Sequence, residues 1–136
     1  MPPRLYTLGE AEASLPELIP ILEAIRDGHR EVIEAEAEIE RLTAPIGANG
    51  HGVKADRIAQ ARQRVQRASA TIRQRALELD ARGVELKDPA TGLIDFRSRR
   101  QGRIVYLCWR LGEPRIDWWH ELDAGFPGRQ PLEREG

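Results

Sequence analysis

The sequence predicts an α+β fold in which a long antiparallel hairpin of two helices packs on a small antiparallel β-meander of three or four strands. Apolar residues recur at 3-4 spacing up to residue 46, and a second helical pattern follows at 53–82. After Gly83 the apolar period changes to two, as in strands. The length of 136 residues suits one domain with one core. The predicted bounds are 1–136 for the single domain, 7–46 for helix 1, 53–82 for helix 2, 84–122 for the sheet and 123–136 for a C-terminal strap.

Helix 1 has two possible starts. Thr7 and Ser14 each open a capping-box pattern with a glutamate three residues later, which predicts a short leading helix followed by a long one. Pro20 should kink the long helix or delay its start. The heptad-like stripe then extends about 45 Å. Three positions of the stripe are polar: His29, Glu36 and Thr43. They mark either the more solvent-exposed end of the stripe, or residues that fix the helix register or bind a ligand.

Helix 2 follows the turn-like segment GANGHG at 47–52. Residues 7–46 carry a net charge of −7 and residues 51–82 a net charge of +5. These blocks predict two helices that attract each other, with glutamates of helix 1 near arginines of helix 2. Nucleic-acid binding by the basic block is disfavoured, because the acidic neighbour would repel phosphate.

The hairpin is longer than the sheet that it covers. Two helices cannot bury a whole apolar stripe each, so some apolar surface should stay exposed at the far end. Exposed apolar surface often marks a partner site. We therefore expect the hairpin to form a coiled-coil contact in a homo-oligomer or with a helical protein partner.

The faces of the sheet depend on strand register. A symmetric turn at 112–115 would place Trp109 opposite Trp118, Leu107 opposite His120, and Tyr106 opposite Glu121. A symmetric hairpin before it would place Phe96 opposite Val105 and Asp95 opposite Tyr106. With this register, one face of the sheet is apolar and packs against the helices, and the other face is polar. Trp118 and His120 would lie on the apolar face. A single bulge would change this assignment.

The polar face is the predicted binding surface. It would offer carboxylates, arginines and aromatic rings to a small molecule, anion or metal ion. Phe126 in the Gly/Pro-rich tail could tuck against the sheet, with Arg129 and Gln130 above it, either as an anion-binding lid or as a strap that closes the sheet edge. The candidate ligand-binding residues are Asp95, Arg97, Tyr106, Arg110, Trp119, Glu121, Asp123 and Arg129.

No reaction is predicted. The sequence contains none of the HExxH, CxxC, GxSxG, GxGxxG or GxxxxGK[ST] patterns, so the catalytic residues and any cofactor stay unknown. No metal site is predicted. A zinc site is disfavoured, because it would require His29 and His120 to meet across the helix–sheet interface with Glu36 or another carboxylate. Cys108 is interpreted as a small apolar filler.

The compartment follows from composition. No window approaches 18 uncharged apolar residues, and the N-terminus lacks the apolar stretch of a signal peptide. Cys108 is the only cysteine, so no disulfide forms within one chain. These features predict a cytoplasmic protein that does not span a membrane.

Several segments carry a family resemblance. Residues 84–132, VELKDPATGLIDFRSRRQGRIVYLCWRLGEPRIDWWHELDAGFPGRQPL, resemble a bacterial family catalogued as domain of unknown function 2203. The N-terminal YTLGEAEASLPELIPIL is similar to the opening of the same family. The most specific matches are GLIDF, VYLCWRLGEP and WHELDAGF followed by GRQP. The resemblance implies a small bacterial protein and no particular activity.

Two functions remain in view. The long stripe and the missing catalytic motifs favour a protein–protein interaction or self-associating structural module. The alternative is binding, with or without catalysis, of a small molecule, anion or metal at the polar sheet face beneath the strap.

Overall fold

A computed structural model describes residues 4–44 and 51–133, and the predicted α+β class is confirmed. Two helices precede an antiparallel meander of five strands, one or two more than predicted. In chain order the elements are α1 (Leu8–Thr43), α2 (His51–Ala81), β1 (Val84–Asp88), β2 (Leu93–Arg100), β3 (Arg103–Arg110), β4 (Trp118–His120), a 3-10 turn (Phe126–Gly128) and β5 (Gln130–Pro131). Neither described helix is apolar enough over the necessary length to cross a membrane.

Helix α1 is one helix, so the predicted short leading helix is wrong. Thr7 is its N-cap and forms the full capping box with Glu10. Pro16 and Pro20 lie inside the helix on its exposed side. The opposite side is buried in the core, and this packing keeps the helix continuous despite the two missing N–H groups. The buried residues of this half are Ala11, Leu15, Leu18, Ile21, Leu22 and Ile25.

Helix α2 begins at His51, two residues earlier than predicted. His51 and Gly52 of the predicted turn therefore belong to the helix, and 47–50 lie outside the described residues. The helix ends where Gly83 takes a φ of 71° and donates its N–H to the Asp80 carbonyl at 3.0 Å.

Opposite charges join the two helices as the sequence predicts. The Arg64 guanidinium contacts Glu31 at 2.6 Å and Glu38 at 3.1 Å, and Arg57 contacts Glu38 at 3.2 Å. Few described side chains of the two helices are fully buried beyond Ile25. Leu79 lies near the end of α2, and the others are alanines: Ala35, Ala61 and Ala68. The far part of the hairpin is a thin two-helix arm, whereas the large apolar side chains lie near the sheet.

The predicted register of the sheet is wrong in two places. Between β2 and β3 it moves by two positions, so Phe96 pairs with Leu107 and each residue keeps its predicted face. Between β3 and β4 it moves by one, so Tyr106 pairs with His120 instead of Glu121. A shift of one residue moves every side chain of β4 to the other face.

The cause of the second shift is the connection at 111–117, which is not a tight symmetric turn. The Glu113 carboxylate accepts the Arg110 backbone N–H at 2.7 Å, and the Glu113 carbonyl accepts the Trp109 indole N–H at 3.2 Å. Ile116 is buried in the core, and its N–H donates to Glu12 of α1 at 3.1 Å. These anchors fix where β4 begins.

The sheet consequently has a helix side and an outer side. The helix side carries Ile94, Phe96, Leu107, Trp109 and Trp119 into the core formed with α1 and α2. The outer side carries Asp95, Tyr106, Cys108, Trp118 and His120. Residues 121–133, which follow β4, return along this sheet edge, and β5 pairs Gln130 with Trp119.

Candidate functional site

Three neighbouring strands bring Asp95, Cys108 and His120 together on the outer side of the sheet. Asp95 of β2 pairs directly with Cys108 of β3. His120 of β4 pairs with Tyr106, two positions from Cys108 on the same face. All three side chains are buried, and one ligand atom from each lies within 4.8 Å of the other two. The cluster joins residues from three strands and depends on the register of each pair.

His120 is held in one orientation by its two ring nitrogens. Nδ1 lies 2.7 Å from the Glu121 carbonyl, and Nε2 lies 3.0 Å from Asp95 Oδ2. A carbonyl oxygen only accepts, so Nδ1 carries a proton and donates it. Nε2 and Oδ2 then share a single further proton. Histidines that bind metals commonly donate their outer N–H to a carbonyl in this way, leaving the other nitrogen for the metal.

Asp95 has one oxygen whose hydrogen bonding is incomplete. Within the described part of the chain, Oδ1 is buried and accepts no N–H or O–H hydrogen bond, although the neighbouring Cys108 thiol interacts with the carboxylate and lowers its pKa. Burial raises the pKa of this carboxyl, and the neighbouring His120 opposes that rise. Leaving a buried polar atom unsatisfied costs about 1–3 kcal/mol. Such an atom calls for a specific explanation, and a bound ion is one of the few available.

Cys108 is a protonated thiol in this environment. Burial raises its pKa to about 11, Arg129 opposes the rise, and the Asp95 carboxylate adds to it. A thiol with so high a pKa is a poor nucleophile near neutral pH. Cys108 is buried, as expected of a small filler, but carboxylate, imidazole and guanidinium groups lie around its sulfur. A metal ion would displace the thiol proton and bind the thiolate.

Arg129 fixes the C-terminal segment above this cluster. Its guanidinium makes two hydrogen bonds to the Glu113 carboxylate, at 3.0 and 2.7 Å, and both side chains are largely buried. Its Nε donates to Cys108 Sγ at 3.4 Å, and the group lies over the Trp118 and Phe126 rings. The guanidinium is thus used internally. This arrangement favours the strap interpretation over an anion-binding lid.

A cavity of about 290 Å³ adjoins the cluster on its outer side. Asp95 and His120 reach its wall. The full lining is Lys87, Leu93, Asp95, Tyr106, His120, Leu122, Gly125 and Phe126. A larger cleft of about 430 Å³ lies at the start of α1, beside Thr7 and Arg100. We place the site at the smaller cavity, because it adjoins the cluster of Asp95, Cys108 and His120, whose side chains are of the types that bind metals.

The remaining predicted residues occupy other surroundings. Arg97 pairs with Glu85 at 3.1 Å, and the Arg110 guanidinium lies 5.3 Å from the Phe126 ring centre. Tyr106 lines the cavity, and its pKa is raised by burial and by Glu85. Asp123 lies in the exposed turn after β4.

Trp119 and Glu121 are not part of the outer face at the cluster. Trp119 belongs to the core on the helix side, and Glu121 forms an ion pair with Arg103. The predicted row of Asp95, Tyr106 and Glu121 is therefore wrong, because Asp95 pairs with Cys108 and Tyr106 pairs with His120.

The disfavoured zinc pair of His29 and His120 does not form. His29 lines a shallow cleft with Arg26, Arg30, Ile33 and Ala90. His120 is on the outer side of the sheet, away from both helices, because β4 is shifted by one residue relative to the predicted register. Cys108 was the partner that sequence reasoning missed. The sequence does point to Cys108: it lies two residues after Tyr106 in the same strand, so both side chains are on the same face of the sheet as Asp95.

The cluster has the donor set of a transition-metal site. Zinc binds thiolate at about 2.3 Å, imidazole at about 2.0–2.1 Å and carboxylate at about 2.0–2.2 Å. Tetrahedral angles then separate the ligand atoms by about 3.3–3.6 Å. Closing the cluster from a spread of at most 4.8 Å needs side-chain shifts on the order of 1 Å.

A protein-family model matches most of the chain. Residues 4–132 match the model of the family described as "Uncharacterized conserved protein (DUF2203)". No curated protein and no solved structure matches the chain significantly.

Proposed function

The chain belongs to the DUF2203 family, whose description assigns no activity, and we propose from the geometry of its own residues that it binds a divalent transition metal of the zinc class. The metal would be held by Asp95, Cys108 and His120. The observation that carries the proposal is the burial of these three donors together, with one Asp95 oxygen that accepts no N–H or O–H hydrogen bond in the described residues.

The donor types support zinc over magnesium or calcium. Thiolate and imidazole are ligands of zinc and related ions, whereas magnesium and calcium prefer all-oxygen sites. The environment also supports a preorganised site. Glu121 holds the His120 ring by its carbonyl, and Arg129 donates toward the sulfur. A reducing compartment would keep Cys108 available as a ligand, so we place the protein in the cytoplasm.

The test is zinc titration of metal-stripped protein in competition with a chromophoric chelator. We expect one zinc per chain. Cys108→Ser and His120→Asn should each weaken zinc binding by about 10²-fold or more, because each removes one of three protein ligands. His29→Asn is the matched control and should leave the affinity unchanged. Circular dichroism of each variant separates ligand loss from misfolding.

Two results would contradict the proposal. One is a failure of the folded wild-type chain to compete with the chelator. The other is a folded Cys108→Ser variant that binds zinc as tightly as the wild type, which would place the metal elsewhere.

A second function, self-association through the arm, rests on a different observation. Among the described residues, the fully buried side chains of the arm are alanines, and Ile33 on α1 is 55% exposed. We propose that a second copy packs along this surface. Sedimentation equilibrium should show a dimer that Ile33→Glu weakens, with Leu77→Glu on α2 as a control at another exposed apolar residue. A strict monomer at high concentration would refute this proposal.

A further inference from the structure

The cavity beside the cluster contacts two of the three proposed ligands. Asp95 and His120 line it, whereas Cys108 does not. The sulfur therefore lies on the far side of the cluster, toward Arg129. A metal held by all three groups would sit between the sulfur and the cavity.

Three protein ligands leave a zinc-class ion one coordination position short of four. Metal sites with three protein ligands and an open fourth position are the kind that bind exogenous ligands, whereas structural sites are closed by four protein ligands. Among the described residues, the cluster contains three ligand-type side chains. Since Cys108 lies behind the metal, the open position faces the cavity.

The charge of the site determines which ligand suits that position. A divalent ion bound by the Asp95 carboxylate, the Cys108 thiolate and neutral His120 has a balanced charge. Lys87 then contributes a positive charge at the cavity wall, where its ammonium lies 5.2 Å from the Tyr106 ring centre. This cation is partly offset by Glu85, which it contacts at 3.0 Å. An anion with a single charge fits better than a dianion.

The rest of the cavity wall is mainly apolar. Leu93, Leu122 and Phe126 form this part of the lining. The volume of about 290 Å³ lies just below the range of pockets for drug-sized ligands, which begins near 300 Å³. The space therefore suits a short chain with an anionic head.

We infer that the metal site, if the proposed function holds, takes a small monocarboxylate with a short apolar chain as its exchangeable fourth ligand. The carboxylate would bind the metal and Lys87. The chain would pack against Leu93, Leu122 and Phe126.

The experiment uses cobalt(II) in place of zinc, because thiolate-to-cobalt absorption reports metal binding and the cobalt ligand-field bands report the fourth ligand. The full-length cobalt protein is titrated with acetate, butyrate and neutral butyramide. We expect saturable ligand-field changes with both carboxylates and none with butyramide. Butyrate should bind roughly tenfold more tightly than acetate, since two more methylenes are buried.

Lys87→Met tests the role of the cation. It should weaken butyrate binding by about fivefold, the size expected for a partly exposed charge pair, without changing the cobalt stoichiometry. Lys54→Met on α2 removes the same charge away from the cavity lining and should change neither value.

The outcomes separate this inference from the metal proposal. Absence of thiolate-to-cobalt absorption overturns both. Cobalt binding with ligand-field bands that butyrate leaves unchanged overturns only the inference. An equal response to butyramide, or equal butyrate affinities in the Lys87→Met and wild-type proteins, refutes the anionic class.

Discussion

His120 and Asp95 meet across strand β3, with imidazole Nε2 3.0 Å from carboxylate Oδ2 and both side chains buried. They belong to β4 and β2, which are not paired with each other. The strand between them contributes Cys108. A metal in this position would therefore link three strands at one point, which connects ligand binding to the stability of the sheet.

Zinc binding should release protons. The Cys108 thiol has a pKa of about 11 and must lose its proton to bind, and the proton shared by His120 and Asp95 must also leave. We expect up to about two protons released per zinc at pH 7. Calorimetry in buffers of different ionisation enthalpy measures this number. A release of zero would contradict ligation by the thiolate.

Zinc should also stabilise the fold. At a free zinc concentration 100 times the dissociation constant, a ligand that binds only the native state adds about 2.7 kcal/mol. For a domain of this size the midpoint of thermal unfolding should rise by about 6–10 °C. Differential scanning calorimetry checks the shift, with Cys108→Ser as the comparison. An equal shift in that variant would indicate that zinc acts elsewhere.

The metal-free protein should lose stability in alkaline solution through Cys108. Burial raises the thiol pKa from 9.0 to about 11, so the native state keeps a proton that the unfolded chain gives up. This stabilising contribution is fully present below pH 9 and is lost as the pH rises to 11; it amounts to at most about 3 kcal/mol.

Urea unfolding at several pH values between 8 and 11, with chelator present, tests the alkaline effect. Tyrosines also titrate in this range, so the informative quantity is the difference between wild type and Cys108→Ala. Parallel pH dependences for the two proteins would show that the thiol is not held protonated.

The Arg129–Glu113 pair should anchor the C-terminal segment. Both side chains are largely buried and make two hydrogen bonds, so removing one partner leaves an uncompensated charge. Arg129→Met should lower the free energy of unfolding by about 3–5 kcal/mol. The double variant with Glu113→Met should lose less than the sum of the two single losses. Additive losses would contradict the coupling.

The two tryptophans of β4 should differ sharply in their effect on stability. Trp119 is in the helix-side core, whereas Trp118 is on the outer side under Arg129. Trp119→Ala should cost about 3–5 kcal/mol. Trp118→Ala should cost clearly less, because that side chain is only half-buried. Denaturant unfolding of both variants checks the order, and a reversed order would favour the register predicted from the sequence.

The helices and the period-two strands were predictable because local signals determine them. The Thr7–Glu10 capping box forms as the sequence predicts, and Gly83 ends α2 with a positive φ. The continuity of α1 through Pro16 and Pro20 was not predictable from local propensity. It depends on burial of the opposite helix face against the sheet.

The site was only partly predictable for a similar reason. Asp95 was selected from its face on β2, and that face is unchanged in the structure. His120 was placed on the wrong side because the start of β4 depends on the irregular connection around Glu113 and on the contact of Ile116 with Glu12, which is 104 residues away in the sequence. Since the side-chain period of a strand is two, an error of one residue hid the cluster with Cys108.

The most direct test of the metal site is anomalous scattering at the zinc absorption edge from crystals of the zinc-loaded protein. We expect one peak per chain at about 2.0–2.3 Å from Asp95, Cys108 Sγ and His120 Nε2. A well-ordered structure with these three side chains in place and no peak between them, or with zinc bound only by surface residues, would contradict it.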